Sequence, residues 1–417
     1  MKSILEILND KVETAFTKAG YDKKYGFVRN SNRPDLCEFQ CSGAMAAAKE
    51  YKTGPIEIAN KVTEILKNDR DFSMVSVVKP GFINLNVDSL LLSHLVGKMR
   101  EDDKFGLNPP KKEMTIIVDY GGANVAKALH VGHLRPAIIG ESVKRIGRFM
   151  GHKVIGDVHL GDWGLQIGLI ITELRHRQPK LSYFDSSFQG EYPKEPPFTI
   201  SDLEEIYPYA SARSKEDEEY KKEAQEATAG LQSGDPAFRA IWQHIVDVSI
   251  ADLKSNYQKL NVDFDLWKKE SDAEPFIPDM IKDMKEQGVA YVSEGALVVD
   301  VSEEGDKKEL PPCLIVKSNG ATLYATTDLA TIIERMKLFN PDLIIYITDK
   351  RQALHFTQVF RTAKKAKLTH EDTEFIFIGH GTMNGKDGKP FKTRDGGLLR
   401  LETLIEQINE EVRQKMK

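Results

Sequence analysis

Apolar residues recur at helical spacing over "SILEILNDKVETAF" (3–16) and "AMAAAKEYKTGPIEIANKVTEILKN" (44–68), predicting helices that each bury one stripe. "FSMVSVVKPGFINLNV" (72–87) reads as a strand, a Pro-Gly turn and a strand, so residues 1–108 predict a small α/β (α+β) domain. A charged, proline-containing stretch, "REDDKFGLNPPKKE" (100–113), has the character of a linker. Beyond it the pattern alternates. "MTIIVDY" (114–120) predicts a short buried strand, residues 135–150 a helix, "KVIGDVHL" (153–160) a strand and "WGLQIGLIITELRHR" (163–177) a helix. That order predicts a Rossmann-like parallel sheet with crossover helices. Residues 178–200 are proline-rich and predict loop; "EDEEYKKEAQEATAGLQ" (216–232) and "FRAIWQHIVDVSIADLKSNYQKLNV" (238–262) are helical again. Strand patterns return at "GALVVDVS", "CLIVKS", "DLIIYIT" and "FIFIGH". The expectation is one parallel-sheet domain, residues 109–405, interrupted by a helical insertion at about 178–310.

Composition narrows the class without naming a function. In 417 residues, 41% hydrophobic and 29% charged, there is material for two or three cores. No apolar run reaches the roughly 18 residues a membrane helix needs, and the N-terminus lacks a secretory apolar core. Three cysteines point to a reducing, cytoplasmic setting rather than a disulfide framework. A net charge of −5 excludes a protein that grips nucleic acid over its whole surface, so any RNA partner is held by local patches.

The chemistry concentrates in "ANVAKALHVGHL" (123–134), where His130 and His133 flank Gly132 at a strand-to-helix turn. Such a turn offers unpaired N–H groups and the positive end of a helix dipole, both of which favour anions. Gly132 opens the backbone to a ligand, the imidazoles can donate to phosphate oxygens, and Lys127 adds a fixed cation. A nucleotide site for attack at phosphorus is one reading. Packing or capping histidines are the second. Zinc is the third, and it lacks further Cys or His ligands at suitable spacing.

The motif from Ala123 through Asn124, Val125, Ala126, Lys127, Ala128, Leu129, His130, Val131 and Gly132 to His133 resembles the HIGH signature of class I aminoacyl-tRNA synthetases. The fuller "VDYGGANVAKALHVGHLRPAIIGESVKRI" (118–146) is similar to the arginyl-tRNA synthetases. So are "HLGDWGLQIG" (159–168), "YATTDLA" (324–330), "DKRQALHFTQVF" (349–360) and "FKTRDGGLLRLETLI" (391–405), all in the family's order. The resemblance covers roughly residues 20–405. It implies ATP-dependent activation of arginine and its transfer to the terminal adenosine of tRNA. His130, Gly132, His133 and Lys127 would then bind ATP and stabilise the transition state. Asp119 and Asp328 would face the guanidinium, Tyr324 would cover it, and Asn124 and Gln352 would hold the amino acid's polar groups. Lys389, Lys392 and Arg394 of "KPFKTR" stand where most class I members have KMSKS, suited to pyrophosphate. Phe39 and Gln40, in "LCEFQCSGAMAAA" (36–48), would stack on and hydrogen-bond an unpaired tRNA base.

The resemblance also implies magnesium arriving with ATP, no dedicated protein metal site and a monomer. Two departures stand out. A serine common in the family is replaced by Gly121 or Gly122, and the second signature is degenerate. Two alternatives share these features, an inactive RNA-binding paralogue and a nucleotidyltransferase with another substrate; His130, His133, Asp119, Tyr324 and Asp328 retained together speak against the first, and dependence of adenylation on arginine separates the second from a synthetase. The tail, 406–417, reads as the opening turns of a helical C-terminal region, and the family's anticodon-binding domain has no counterpart in this sequence.

Overall fold

A computed structural model describes residues 1–382 and 400–416. The chain divides into two compact units, Met1–Pro110 and Lys111–Lys417, two residues beyond the boundary expected at 108.

In the first unit α1 (Ile4–Lys18) starts at a capping box in which Ser3 and Glu6 satisfy each other's backbone N–H groups. The strands β1 (Val28–Asn30) and β2 (Phe39–Cys41) form a hairpin. The long helical pattern at 44–68 breaks into α2 (Gly43–Tyr51) and α3 (Pro55–Leu66), because Lys52 turns left-handed and Pro55 restarts the helix as its first residue. The strands β3 (Phe72–Val78) and β4 (Phe82–Val87) complete an antiparallel sheet of order β1-β2-β4-β3. Leu8, Val12 and Phe16 of α1 and Ile58, Val62 and Leu66 of α3 form a core with Ile83 and Leu85. α4 (Ser89–Arg100) follows, capped by Asp88.

The second unit opens with β5 (Thr115–Asp119), α5 (Val131–Phe149), β6 (Lys153–Asp157) and α6 (Leu165–Arg177). α5 starts four residues before the helix expected at 135, because His130 is its N-cap. The region expected to be an insertion supplies α7 (Ile200–Glu216), α8 (Glu218–Ser233) and α9 (Pro236–Lys259). The short turn α10 (Glu270–Ala273) and α11 (Ile277–Glu286) come next.

"GALVVDVS" and "CLIVKS" do not join the parallel sheet. They give β8 (Ala296–Val299) and β9 (Cys313–Val316), which with β7 (Ala290–Ser293) form a separate antiparallel sheet. The cause is local: Glu294 and Gly295 have φ of 49° and 79°, the two left-handed residues of a tight hairpin turn. α12 (Tyr324–Phe339), β10 (Leu343–Asp349), α13 (Ala353–Lys365), β11 (Glu374–His380) and α14 (Leu401–Met416) complete the described chain.

The main sheet has the order β11-β10-β5-β6, every neighbour parallel. From β5 the chain steps outward to β6, then returns to β10 on the other side. The direction of winding therefore reverses between β5 and β10, and a crevice opens beyond their C-terminal ends, where open α/β sheets bind ligands. Residues 266–269 run beside the end of β6 through parallel bridges at Asp157–Leu266 and Leu160–Lys269, bringing Glu270 to the same edge.

Candidate active site

The loop from β5 to α5 is held from below by the helical region. Tyr257 of α9 donates its hydroxyl hydrogen to the Gly121 carbonyl, and Ser249 of α9 accepts the Ala126 N–H at 2.8 Å. Ala126 is left-handed, with φ of 57°, a conformation costing an alanine roughly 1 kcal/mol or more. Gln166 of α6 donates to the Val125 carbonyl at 2.5 Å.

At the end of this loop the two histidines interlock. His130 Nδ1 accepts the Gly132 N–H, and His133 Nδ1 accepts the His130 N–H, both at 3.1 Å. With each Nδ1 an acceptor, the neutral rings carry their protons on Nε2 as donors. The rings lie 4.0 Å apart. Burial, His130 and Lys127 depress His133 to about 3, while burial and then Lys127 also lower His130. Each ring therefore caps the helix through Nδ1 and leaves its Nε2–H as a donor. Gly132 has a use that the sequence did not reveal: a Cβ there would stand 2.8 Å from His130 Cε1.

On the other side of the crevice, α12 presents Tyr324, Asp328, Thr331 and Arg335 at i, i+4, i+7 and i+11, one stripe of a helix. Its outer end is open, with Tyr324 73% exposed, and its inner end closed, with Arg335 2% exposed. Asp328 Oδ2 meets His355 Nε2 of α13 at 2.5 Å. Glu270 approaches this group from the other strand edge. Burial, Asp162 and Asp328 push its carboxyl up to about 8, with the Trp163 backbone acting weakly in the opposite sense. Tyr324 lies within electrostatic reach of Glu270 and of Tyr207.

Asp119 faces a guanidinium, and it is the chain's own. Arg335 Nη2 lies 2.5 Å from Asp119 Oδ2 and 2.7 Å from Asp157 Oδ2. Burial opposes the charge on Arg335, but Asp119, Tyr346 and Asp157 hold its pKa well above the ordinary value.

Of the other expected site residues, Asn124 is bridged to Gly161, where an added Cβ would meet its Oδ1 at 2.1 Å. Lys127 Nζ sits 4.5 Å over the Tyr207 ring of α7. Gln352 is the N-cap of α13, one turn from His355. The turn also anchors the ends of the second signature's segment. Arg135 donates to the Gly381 carbonyl at 2.5 Å, and the Leu401 N–H donates to the Leu129 carbonyl at 2.9 Å. Lys389, Lys392 and Arg394 themselves lie outside the described residues. In the first unit Phe39 packs partly against the core, and Gln40 Nε2 donates to Asn84 Oδ1 at 2.9 Å. Glu270, Arg335, His355 and Tyr207 are additions from the structure. Among the described residues no group of three or more His, Cys, Asp or Glu is placed to hold a metal, and no helix is long and apolar enough to cross a membrane.

Comparison with known proteins gives the family. The family described as "tRNA synthetases class I (R), catalytic domain" matches residues 96–417, and "Arginyl tRNA synthetase N terminal domain" matches residues 2–87. An arginine–tRNA ligase of Agathobacter rectalis is 60% identical, the alignment covering 100% of this chain and 70% of that protein. One from Alkaliphilus oremlandii is 56% identical, covering 100% and 71%. Among solved structures, arginyl-tRNA synthetase from Plasmodium falciparum shares the fold with a TM-score of 0.72 at 23% identity, covering 100% of this chain and 69% of that one. The Thermus thermophilus arginyl-tRNA synthetase does so with a TM-score of 0.63 at 19% identity, covering 99% and 70%. The chain belongs to the arginyl-tRNA synthetases, class I enzymes that ligate arginine to tRNA.

Proposed function

We propose that Glu270 and Asp328 take the guanidinium of arginine between them, with Tyr324 over it, and that the histidine cap takes the phosphates of ATP. The acid pair carries this reading. Glu270 is held to about 8 by burial and by two neighbouring acids, a state that a bound cation reverses. A guanidinium offers planar donors to both carboxylates at once. Asn124 and Gln352 are left to hold the α-amino and carboxylate groups.

In the first step a carboxylate oxygen of arginine attacks the α-phosphorus. The bond to the bridging oxygen breaks and pyrophosphate leaves with its electron pair, giving arginyl-adenylate. Nε2–H of His130 and His133 and the N-terminus of α5 face the oxygens on which charge builds; one such donor is worth about 3 kcal/mol. Lys127 adds positive charge that Tyr207 keeps in place. Lys389 and Lys392 serve the departing pyrophosphate. In the second step a ribose hydroxyl of the tRNA's terminal adenosine attacks the carbonyl carbon and AMP leaves. Phe39 and Gln40 read an unpaired tRNA base. Magnesium, carried in on the phosphates, supplies charge neutralisation there. The enzyme acts as a cytoplasmic monomer.

The test is arginine-dependent ATP–pyrophosphate exchange, with and without arginine-accepting tRNA. Exchange that requires arginine and is lost in Asp328→Asn and Glu270→Gln supports the reading. Wild-type Michaelis constants for arginine in both variants would sink it.

A further inference from the structure

Beneath the acid pair the α12 stripe ends in a charge that the reaction above does not use. Arg335 is 2% exposed and commits every edge of its guanidinium. Nε lies 3.2 Å and Nη2 2.7 Å from Asp157 Oδ2, Nη2 lies 2.5 Å from Asp119 Oδ2, and Nη1 donates to the Tyr346 hydroxyl at 3.0 Å. Those partners stand at the C-terminal end of β6, at that of β5 and within β10. One helix side chain therefore spans three neighbouring strands at the reversal point of the sheet.

Resting on the reading of Glu270 and Asp328 as the guanidinium seat, we propose that Arg335 is a positioning residue that fixes the depth of that seat. It fills the place between Asp119 and Asp157 that a substrate guanidinium would otherwise enter. Arg335 lies seven residues beyond Asp328 on α12, about 10 Å further along the helix axis. Thr331 stands between, with its hydroxyl 3.3 Å from His159 Nε2. The substrate's charged end stops at the upper pair of acids because the lower pair already holds a guanidinium. The same bonds hold α12 against the sheet, so that Asp328 faces Glu270 at a fixed distance. Arginine has one length that reaches from the α-phosphorus to this level. A side chain one methylene longer has nowhere to go.

The experiment measures exchange kinetics of Arg335→Lys, Asp119→Asn and Glu270→Gln with arginine and with homoarginine, together with their melting temperatures. Lysine keeps the charge but cannot bridge three strands. The expected result for Arg335→Lys is a Michaelis constant for arginine raised about tenfold or more, that for ATP within twofold of wild type, and a narrowed preference for arginine over homoarginine. A lowered melting temperature with both constants and the preference unchanged overturns the proposal, leaving Arg335 a purely structural ion pair. If Arg335→Lys does not fold, Asp119→Asn carries the test, since Arg335 keeps its charge and its bonds to Asp157. There a small rise for arginine with a narrowed preference supports the proposal. A loss as large as that in Glu270→Gln overturns it, because Asp119 would then bind substrate directly. A wild-type constant for arginine in Glu270→Gln overturns the underlying seat, whatever Arg335 does.

Discussion

His133 Nδ1 accepts the backbone N–H of His130, and that bond closes the first turn of α5 over the chain's candidate phosphate site. In an ordinary capping box a serine and a glutamate perform this exchange. Here two imidazoles perform it, so each ring must keep Nδ1 unprotonated while its far nitrogen donates. The cap and the proposed phosphate donors share the same two rings, and protonation disturbs both.

The pH dependence of stability follows from this arrangement. His133 is depressed to about 3 in the folded chain, against about 6.5 unfolded. Between those values the unfolded chain binds a proton that the folded one refuses. The contribution is fully present above about 6.5 and is lost as pH falls toward 3, with a slope of up to about 1.4 kcal/mol per pH unit. Urea unfolding at several pH values between 5 and 7 should show the slope shrinking by up to one proton in His133→Gln. An identical slope in both proteins would refute the assignment.

Gly132→Ala separates the ring's position from the stability of the helix. The added methyl would come within 2.8 Å of His130 Cε1 and 2.9 Å of its Nδ1, so the imidazole must swing aside and release the Gly132 N–H. Alanine is the better helix former by about 1 kcal/mol. The expected outcome is exchange activity lower by about a hundredfold with a melting temperature unchanged or slightly raised. Full activity would show that the folded-back ring is unimportant to the reaction.

Glu270 predicts a second pH profile, at higher pH and in the use of arginine rather than in stability. Its carboxyl is held to about 8 before arginine binds, and only the ionised form pairs with a guanidinium. At pH 7 about nine-tenths of the free enzyme is therefore protonated there, so kcat/KM for arginine should rise about tenfold from pH 7 to 9. Glu270→Gln should abolish the rise and lower kcat/KM at pH 9 by a hundredfold or more, a lost charged hydrogen bond of about 3 kcal/mol. A profile in the variant matching wild type would remove Glu270 from the seat.

The histidine motif and the alternation of strand and helix were readable because each is local. His130, Gly132 and His133 sit within one turn, and "MTIIVDY" and "DLIIYIT" are apolar runs bounded by polar residues. The hairpin at Glu294–Gly295 was not read from the sequence: "GALVVDVS" is a strand pattern, but alone it does not say which sheet it joins. Glu270 and Arg335 are of another kind. Glu270 sits in "LWKKESDA" beside two lysines, like a solvated charge, and only the bridges from residues 266–269 to the end of β6 bring it beside Asp162 and Asp328. Arg335 sits eleven residues beyond Tyr324 in an amphipathic helix, and its carboxylate partners are 216 and 178 positions away. Asp119 was placed in the site by its motif, yet what it touches depends on that distant arginine. Spacing carries the contacts within a turn, and topology carries the rest.

The grip of α9 on the loop from β5 to α5 can be measured as a coupling. Ser249, 2% exposed, accepts the N–H of left-handed Ala126 and donates to the Ile245 carbonyl at 2.6 Å. Ser249→Ala leaves a buried N–H without a partner, at a cost of about 1–3 kcal/mol. Tyr257→Phe removes the bond to the Gly121 carbonyl at the other end of the same loop. If α9 holds residues 121–126 as one unit, losing either bond lets the loop relax, and the second loss then costs less than it would alone. Urea unfolding of wild type, both single variants and the double variant should give a coupling of 0.5 kcal/mol or more, whereas independent sites add to within about 0.3–0.5 kcal/mol. The single variants should also lose exchange activity together, since His130 begins four residues after Ala126 and its ring is aimed by the loop. Additive stabilities with full activity in both would mean that α9 merely packs beneath the loop and does not set its shape.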